Sequence, residues 1–318
     1  MSFRAGITGA GGFIGAHAVR GFASRGAQVI PFVRVPDGSG TMTLEEAIAS
    51  PASLAGLDVI VHAAAVRHRY GVDARTYRAS NVDLVERSMR AGAAAGVRRF
   101  VFVSSVGVYG FPRELPVTEL SPYAPRTPYS ATKVEAELCA RRVAEDLGID
   151  LVVARPTIVY GRGDRNGMLE KMARMIRAGS YRIVGSGKNV LHHAHVDDVV
   201  EGLWLAATRP EAAGDGFILA GPETTTLSDL SRLVAQVTGH RLSRLHVPLP
   251  LARAAAAAID VAAYRGVAFA MNEPPVNGEK LDVMTLPLRF DVQRARQRLG
   301  YAPRIGYREG IERTLREA

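Results

Sequence analysis

Two serines, a tyrosine and a lysine are the residues of this sequence best suited to moving a proton. An apolar run, "RFVFVSS" (99–105), ends in Ser104 and Ser105, and "YSATK" (129–133) places Tyr129 and Lys133 four residues apart. On a helix that spacing brings both side chains to one face. A lysine beside a phenol lowers the phenol's pKa from about 10 toward the working pH. The phenol can then exchange a proton with an alcohol or a ketone while a serine hydroxyl holds the reacting oxygen.

A glycine-rich stretch, "TGAGGFIG" (8–15), follows a short apolar run and precedes a helical pattern. Gly9 permits a tight turn, Gly12 lets the backbone approach a pyrophosphate, and Gly15 lets the helix pack closely on the preceding strand. The first helical turn, which contains Phe13 and Ile14, offers free N–H groups and the positive end of the helix dipole. The stretch therefore predicts a dinucleotide site, in which a nicotinamide would give or take a hydride.

The end of the second predicted strand bears on which dinucleotide is bound. A site for NAD usually has an acidic residue there, which binds the ribose hydroxyls. This strand instead ends in "PFVRVP" (31–36), and Arg34 follows it at once. A guanidinium pairs well with a 2′-phosphate. We therefore predict NADP(H) in preference to NAD(H); the alternative is that Arg34 is a surface residue with no role in cofactor binding.

Short β-rich runs alternate with helical patterns, which is typical of a doubly wound, Rossmann-type parallel sheet in the α/β class. The runs cover 27–33, 57–62, 99–105 and 150–156, and two of the helical patterns cover 74–95 and 129–147. Little room is left for a third strand within 34–56, because this stretch must also contain a helix. Pro31 lies inside the second strand, where a central strand would lose a ladder hydrogen bond. We therefore predict a third strand that is very short or missing, and a second strand near an exposed edge.

The pattern becomes less regular after residue 160, which predicts a smaller C-terminal lobe over the open end of the sheet. We expect the Rossmann domain to comprise 1–160 with returning segments at about 192–222, and the smaller, substrate-binding lobe to comprise 161–191 and 223–318. Two helices in this half are predicted to begin with Asp197 and Ser228 as N-caps.

Composition excludes several classes of protein. The chain has 318 residues and one cysteine, Cys139, which excludes an internal disulfide framework and fits a reducing compartment. The strand pattern begins within three residues of the N-terminus and leaves no room for a signal peptide, so we expect a cytoplasmic protein. The apolar stretch 247–270 is interrupted by charged residues, and no membrane span is predicted.

The expected partner is a small-molecule substrate rather than a nucleic acid or a metal ion. The net charge is +9, but the arginines are scattered without a basic block, so no nucleic-acid partner is predicted. His192, His193 and His195 match no strong spacing for metal ligands.

Seven motifs together resemble the extended, epimerase-like branch of the short-chain dehydrogenase/reductases, the NAD-dependent epimerase/dehydratase family, over nearly the whole chain. The motifs are "TGAGGFIG", "HAAA" (62–65), "NV" (81–82), "VSSVGVYG" (103–110), "YSATK", "RPTIVYGRGD" (155–164) and "HVDD" (195–198). The resemblance implies that Ser105 is the catalytic hydroxyl, Tyr129 the acid/base and Lys133 its partner. It implies a homodimer through helices 74–95 and 129–147. It also implies that Ala63, Ala64 and Ala65 line the cofactor and that Asn81 supports the cofactor or the helix nearby. The other predicted cofactor contacts are Ser104, Tyr129, Lys133 and Pro156.

Several positions differ in residue type from the sugar-nucleotide members of this family, and these differences narrow the class of substrate. Val106 and Gly107 stand where the dehydratases carry an Asp–Glu pair, which argues against a dehydratase. Ile158 and Leu191 stand where many nucleotide-sugar enzymes place an asparagine and an arginine that hold the diphosphate. Within this branch, the chain is thus more similar to the 3β-hydroxysteroid dehydrogenase-like and flavonol-reductase-like members. This resemblance implies the interconversion of a ketone and a secondary alcohol on a fairly apolar small molecule.

Two other functions stay open on the sequence. One is a nucleotide-sugar 4-epimerase that holds NAD tightly, or a sugar 4-ketoreductase, since some of these share an aliphatic residue at the Ile158 position. The other is a non-catalytic, NAD(P)-binding sensor or RNA-associated relative. In "RHRY" (67–70), Arg67, His68 or Arg69 can bind an anion, or the loop is simply solvated. The predicted substrate contacts are Arg67, Val106, Ile158 and Leu191.

Overall fold

The computed structural model describes residues 2–35, 41–67, 72–164, 167–264 and 277–316. Its strands, in chain order, are β1 (Arg4–Thr8), β2 (Gln28–Val33), β3 (Met42–Thr43), β4 (Val59–His62), β5 (Arg99–Val103), β6 (Asp150–Pro156), β7 (Val159–Tyr160), β8 (Ile183–Val184), β9 (Val190–Leu191), β10 (Ala194–His195), β11 (Gly216–Leu219), β12 (Thr225–Thr226) and β13 (His246–Val247). Its helices are α1 (Phe13–Ala23), α2 (Leu44–Ala49), α3 (Ala74–Arg78), α4 (Leu84–Ala94), α5 (Pro128–Leu147), α6 (Met168–Arg177), α7 (Val196–Thr208), α8 (Leu227–Thr238), α9 (Leu249–Tyr264), α10 (Gly278–Thr285), α11 (Gln293–Leu299) and α12 (Tyr307–Leu315).

Seven strands form one parallel sheet in the order β3-β2-β1-β4-β5-β6-β11. The strand order reverses between β1 and β4, the place where a doubly wound sheet binds its ligands. One core cluster packs the sheet against α1, α7 and α11, and another packs the opposite face against α2, α4 and α5. The predicted doubly wound α/β fold is therefore confirmed.

Hydrogen bonding at each edge of the sheet differs from the continuous ladders between the central strands. β3 has two residues and pairs Met42 with Phe32 and Thr43 with Val33, so the ladder on that side of β2 begins only after Pro31. The predictions of a very short third strand and of a second strand near the edge are confirmed. At the opposite edge, the backbone N–H of Ile218 in β11 donates to the Glu119 carboxylate at 2.9 Å.

The helix predicted over 74–95 is present but is not α-helical throughout. α3 and α4 are joined without a break by a π-helical segment, Ala79–Asp83, and the helix ends just before Gly96, whose φ is 84°. π-Helical turns are rare and frequently occur at functional sites. This one contains Asn81 and lies beside the catalytic candidates described below.

A second, smaller packing unit lies beyond the sheet. Apolar side chains of α6, α8 and α12 form its core, among them Leu169, Met172, Leu230, Val234 and Ile311. Paired two-residue strands accompany it: β7 with β10, β8 with β13, and β9 with β12. α11 lies elsewhere, because Ala295 and Leu299 pack in the cluster that contains α1 and α7. The division of the chain into two units at the predicted boundaries remains a prediction.

Two predicted helix caps are wrong. His195, not Asp197, is the N-cap of α7, and its Nδ1 accepts the Asp197 N–H at 3.3 Å. Thr226, not Ser228, is the N-cap of α8 and accepts the N–H of Asp229 at 3.1 Å. Each helix begins two residues earlier than predicted, since the cap is the last residue with an extended backbone. Within the described ranges, no helix is both long and apolar enough to cross a membrane.

Candidate active site

Tyr129 and Lys133 lie in the first two turns of α5. Thr127 caps this helix by accepting the Ser130 N–H, and Pro128 takes the first helical position, which needs no N–H donor. Lys133 is 2% exposed, and its Nζ donates to the carbonyl of Val103 at 2.8 Å. The Nζ lies 6.0 Å from the centre of the Tyr129 ring. The helix thus brings the phenol and the ammonium to one face, at the carboxyl end of β5, as their spacing predicts.

The electrostatics of this pair differ from the expectation. Burial raises the pKa of Tyr129 to about 12, against a smaller lowering by Arg67. Burial also lowers the pKa of Lys133 to about 8, and the nearby Glu137 carboxylate opposes that shift. Lys133 therefore loses its charge at a lower pH than Tyr129 loses its proton. In the protein alone burial is the largest influence on the pKa of Tyr129, and the lowering influence on it comes from Arg67; that Lys133 lowers this pKa stays a prediction.

Ser105 and Ser104 have different surroundings although they are neighbours. Ser105 is half-buried, and its Oγ accepts the Gly107 N–H at 3.1 Å, capping a short 3-10 helix, Val106–Tyr109. A Cβ at Gly107 would lie 3.3 Å from that Oγ and 3.6 Å from the Cβ of Ser130, the residue after Tyr129. Glycine at this position therefore lets the serine approach the start of α5. The structure brings Ser105, Tyr129 and Lys133 together.

Ser104 is 4% exposed, and its hydroxyl donates to Glu137 Oε1 at 2.5 Å. Successive side chains of an extended segment alternate in direction, so Ser104 points into the protein where Ser105 does not. The hydroxyl predicted to contact the cofactor is thus engaged within the protein.

Behind the catalytic candidates lies a buried ion pair that the sequence analysis missed. Glu137 is 0% exposed and Arg155 is 2% exposed, and their side chains make several hydrogen bonds to each other. Arg155 also donates to the hydroxyls of Tyr109 and Tyr123, at 3.0 and 2.9 Å. Burial is the largest single influence and pushes the pKa of Glu137 up. The hydrogen bonds and charge of Arg155, with hydrogen bonds from Ser104 and Tyr123, together outweigh it and leave that pKa below its usual value. Glu137 follows Lys133 by four residues, and that spacing was the available signal.

The turn between β1 and α1 fits a dinucleotide phosphate. Gly9 has a φ of 67°, and a Cβ there would lie 2.8 Å from the backbone nitrogen of Ala64. A Cβ at Gly15 would collide with the carbonyl of Gly9. Gly12, the N-cap of α1, provides no side-chain cap, and the first turn carries no acidic residue. Phe13 and Ile14 occupy that turn, where helix N–H groups have no partner within the helix. An anion can therefore approach these N–H groups closely.

The stretch after β4 lies beside this turn. Ala63, Ala64 and Ala65 are half-buried, and the Ala64 N–H donates to the hydroxyl of Thr8 at 3.1 Å. Thr8 was not among the predicted site residues. The hydrogen bond holds the stretch against β1, next to Gly9.

Asn81 links three parts of the site through its side-chain amide. Its Oδ1 accepts the N–H of Val66 at 2.8 Å, and its Nδ2 donates to the Val66 carbonyl and to the Thr132 hydroxyl. Thr132 precedes Lys133. Asn81 therefore ties the stretch after β4 to α5, which matches the expected support of the nearby helix.

Pro156 and Arg34 each lie at or just beyond the carboxyl end of a strand. Pro156 ends β6 and is buried. Thr157, the next residue, keeps a buried hydroxyl with no hydrogen-bond partner among the described residues, so a polar group of a ligand could satisfy it. Arg34 follows β2 directly and is exposed.

The predicted substrate contacts fall into different environments. Ile158 lines an apolar cavity with Met168, Leu169 and Leu230. Val106 is 9% exposed and Leu191 is 4% exposed, both within hydrophobic clusters. Arg67 is exposed and forms an ion pair with Asp164. His68 and Arg69 lie outside the described residues. Within the part of the chain that the structure describes, no group of three or more His, Cys, Asp or Glu side chains could hold a metal ion.

Relatives of known activity match this chain over most of its length. A 4-hydroxy-2-methyl-3-oxo-4-farnesyl-3,4-dihydroquinoline-1-oxide ketoreductase of Stigmatella aurantiaca is 29% identical over 98% of this chain and 95% of its own length. A 3-beta-hydroxysteroid dehydrogenase of Mycolicibacterium neoaurum is 29% identical over 93% and 86%. A 2-alkyl-3-oxoalkanoate reductase of Stenotrophomonas maltophilia is 28% identical over 96% and 97%.

Solved structures share the fold. The protein gox2253 has a TM-score of 0.80 at 26% identity, with 98% of this chain and 96% of that chain covered. UDP-glucuronic acid 4-epimerase from Bacillus cereus, in complex with NAD, has a TM-score of 0.76 at 19% identity, with 98% and 95% covered, a likeness of fold alone. Residues 5–220 match the family of NAD dependent epimerases and dehydratases. The chain belongs to this NAD dependent epimerase/dehydratase family, in the extended branch of the short-chain dehydrogenase/reductases, as its motifs predicted.

Proposed function

We propose that the protein is an NAD(P)(H)-dependent oxidoreductase that interconverts a ketone and a secondary alcohol on a fairly apolar small molecule. The observation that carries this proposal is the convergence of Ser105, Tyr129 and Lys133 at the carboxyl edge of the sheet. The open N-terminus of α1 reaches the same edge. A family that contains both oxidoreductases and epimerases supports the class of chemistry.

The roles of the three residues follow from their chemistry. In reduction, Tyr129 donates its phenolic proton to the ketone oxygen; in oxidation, the same oxygen takes the proton from the alcohol. Ser105 orients the substrate oxygen through its hydroxyl, which lies on the accessible side of the strand end. A bound nicotinamide supplies or accepts the hydride. Lys133 supplies a buried ammonium beside the phenol, and Asn81 keeps its helix in place.

An NADP(H) preference is the finer part of the proposal. Arg34 is exposed directly after β2, at the position where an acidic residue would bind the ribose hydroxyls of NAD. A guanidinium there favours a 2′-phosphate through charge-assisted hydrogen bonds. Ala63, Ala64, Ala65 and Pro156 would line the rest of the cofactor site.

An apolar substrate is favoured because aliphatic residues stand at the positions where nucleotide-sugar enzymes place polar, diphosphate-binding residues. Ile158 lies among Met168, Leu169 and Leu230, which surround a void with room for no more than a water molecule, so the surroundings of this position are apolar. The three relatives are named for a farnesyl-bearing ketone, a steroid and an alkyl-substituted oxo acid, each with a large apolar part. Val106 and Leu191 would then shape the apolar surroundings from within the core.

A nucleotide-sugar 4-epimerase is the second candidate, favoured by membership of a family that includes epimerases. An epimerase keeps its NAD through the catalytic cycle, whereas a reductase exchanges it. NAD that co-purifies with the protein and survives dialysis would favour the epimerase, and rapid exchange with added NADPH would favour the reductase.

Replacing Tyr129 with phenylalanine tests the catalytic assignment. We expect Tyr129→Phe to reduce turnover of ketones by at least about 100-fold, because the phenylalanine has no proton to give. The affinity for NADPH, measured by fluorescence titration, should change little. The same titration with NADH tests the Arg34 proposal, which predicts tighter binding of NADPH. Turnover like that of the wild type in Tyr129→Phe would contradict the assignment.

A further inference from the structure

Arg67 stands between the cofactor-side stretch after β4 and the loop that leads into α6. Its Nη1 lies 3.5 Å from Oδ1 of Asp164. Its backbone carbonyl accepts a hydrogen bond from the Tyr77 hydroxyl at 3.4 Å, which anchors this end of the stretch. Asn81 joins the neighbouring Val66 to Thr132, three residues after Tyr129, and so holds this stretch against the start of α5. The charge of Arg67 accordingly lowers the pKa of the Tyr129 phenol, against the larger effect of burial. A substrate oxygen at Tyr129 would therefore lie near a permanent positive charge.

The pairing of Arg67 with Asp164 leaves most of the guanidinium unused. A charge-assisted N–H···O bond is about 2.7–2.9 Å long, well below the separation seen here. The arginine side chain is 64% exposed, and a guanidinium has five N–H donors. Among the described residues, Asp164 is the one carboxylate within ion-pair distance of it. The pair is exposed only on its arginine side, so the cost of replacing Asp164 with another anion depends on what else stabilises the Asp164 carboxylate.

Asp164 keeps other favourable surroundings when Arg67 turns away. Its side chain is 10% exposed and lies against Gly167, the N-cap of α6, where any larger side chain would collide with the carboxylate. The positive end of the α6 dipole therefore faces it. Burial raises the pKa of Asp164, while Arg67 and, more weakly, Lys171 lower it. Asp164 is thus a partner that holds Arg67 near Tyr129 without occupying its N–H fork.

We propose that Arg67 binds a carboxylate of the substrate in place of Asp164, so that the preferred substrates are hydroxy or oxo acids with an apolar chain. The carboxylate would lie a short distance from the carbon that reacts at Tyr129. This inference rests on the proposed oxidoreductase function and adds an acidic end to its apolar substrate. Arg67 then determines specificity, and Asp164 keeps it in position.

A matched pair of alcohols tests the carboxylate site. The probes are 3-hydroxydecanoate and its methyl ester, each oxidised with NADP⁺ and followed by the absorbance of the reduced nicotinamide. We expect Arg67→Gln to lower kcat/KM for the acid by about 10- to 100-fold, the range for losing a hydrogen-bonded charge partner, and to change the value for the ester by less than about threefold. Arg20→Gln, on the exposed side of α1, is the control for loss of a positive charge and should leave both values unchanged.

An equal loss for acid and ester in Arg67→Gln would overturn the proposal, and so would an unchanged value for the acid. Calorimetric titration of decanoate into the protein saturated with NADP⁺ gives a second readout that needs no turnover. Weaker binding of decanoate in Arg67→Gln supports the carboxylate site even if neither alcohol reacts, in which case the oxidoreductase proposal is the one that fails. If the ester reacts but decanoate binds equally well to the wild type and to Arg67→Gln, the carboxylate site is overturned and the oxidoreductase proposal stands.

Discussion

Lys133 is subject to two opposing influences on its charge. Burial favours the neutral amine, and the Glu137 carboxylate one turn further along α5 favours the ammonium. The balance leaves the pKa of Lys133 at about 8. A residue that must be positive to act on a phenol or on a cofactor would therefore change state within the range where enzymes are assayed.

The pH profile of the enzyme should show this titration. Lys133 is protonated below about pH 8 and neutral above it, so kcat/KM should fall as pH rises through that value. Lys133→Arg keeps its charge and should lose this alkaline fall in its residual activity. Lys188→Arg, on an exposed loop, is the matched control and should keep the wild-type profile. A wild-type profile that stays flat between about pH 7 and pH 10 would contradict the assignment.

At the residue scale, the sequence predicts well what depends on local spacing. Tyr129 and Lys133 share a helix face, and Gly15 stands where a side chain would meet the Gly9 carbonyl, because residues nearby in the chain determine both results. The partner of Ser104 was not predictable in this way, since Glu137 and Arg155 meet it from two other elements. Nor was the pKa of Tyr129, which depends on burial by the whole site.

The turn from β1 to α1 shows how an element positions the cofactor. Gly9 adopts a backbone conformation that side chains rarely tolerate, and it approaches Ala64 within contact distance. Gly11, two residues later, has open space around it: a Cβ there would meet nothing within 4 Å. The two glycines lie in one turn and differ both in backbone conformation and in what a methyl group would meet.

Alanine at these two glycines should have opposite outcomes. We expect Gly9→Ala to weaken NADPH binding at least about tenfold and to destabilise the fold by about 1–3 kcal/mol, because the backbone must shift or remain strained. Gly11→Ala should bind NADPH almost as the wild type does. Fluorescence titration and thermal unfolding measure the two effects. Equal losses in both variants would show that the collision with Ala64 is not the cause.

The pair of Glu137 and Arg155 connects α5 to β6, and through Ser104 it reaches the end of β5. Removing the charge of a buried partner leaves the other charge uncompensated. We expect Glu137→Gln to lower the free energy of unfolding by about 3–5 kcal/mol. Glu309→Gln breaks an exposed pair with Arg313 and should cost less than about 1 kcal/mol. Urea denaturation of both variants measures the difference; similar values would contradict the importance of burial.

At the element scale, long patterns were predicted more reliably than helix boundaries and distortions. The helix over 74–95 has the predicted extent. It also contains a π-helical segment, in which Asn81 contacts Val66 and Thr132, and the helical pattern predicts neither the segment nor these contacts. The cap of α7 was misplaced because histidine is an uncommon cap, so an aspartate two residues later was the obvious candidate.

At the scale of the whole molecule, α4 and α5 pack side by side on one face of the sheet, where the family resemblance implies a homodimer. Leu138 on α5 is 55% exposed, an apolar side chain that a partner subunit would cover. We propose that two copies of the chain associate through these helices.

A charge at Leu138 should separate the subunits. Leu138→Glu would place a carboxylate in an apolar interface, which we expect to raise the dimer's dissociation constant by about tenfold or more. Leu120→Glu is the control, because Leu120 is 85% exposed and belongs to neither helix. Sedimentation equilibrium measures both. A wild-type monomer, or a Leu138→Glu variant that dimerises as the wild type does, would contradict the proposed interface.

The two edges of the sheet have a consequence for how the protein behaves at high concentration. Open edge strands can add strands from other molecules, and this is a common route to aggregation. Here Pro31 offers no N–H along β2, and β3 pairs with only the last two residues of that strand. On the far side, Glu119 already occupies the N–H of Ile218. We therefore expect copies of this chain to meet through helices and to resist joining sheet to sheet, which would keep the folded protein dispersed in a crowded solution.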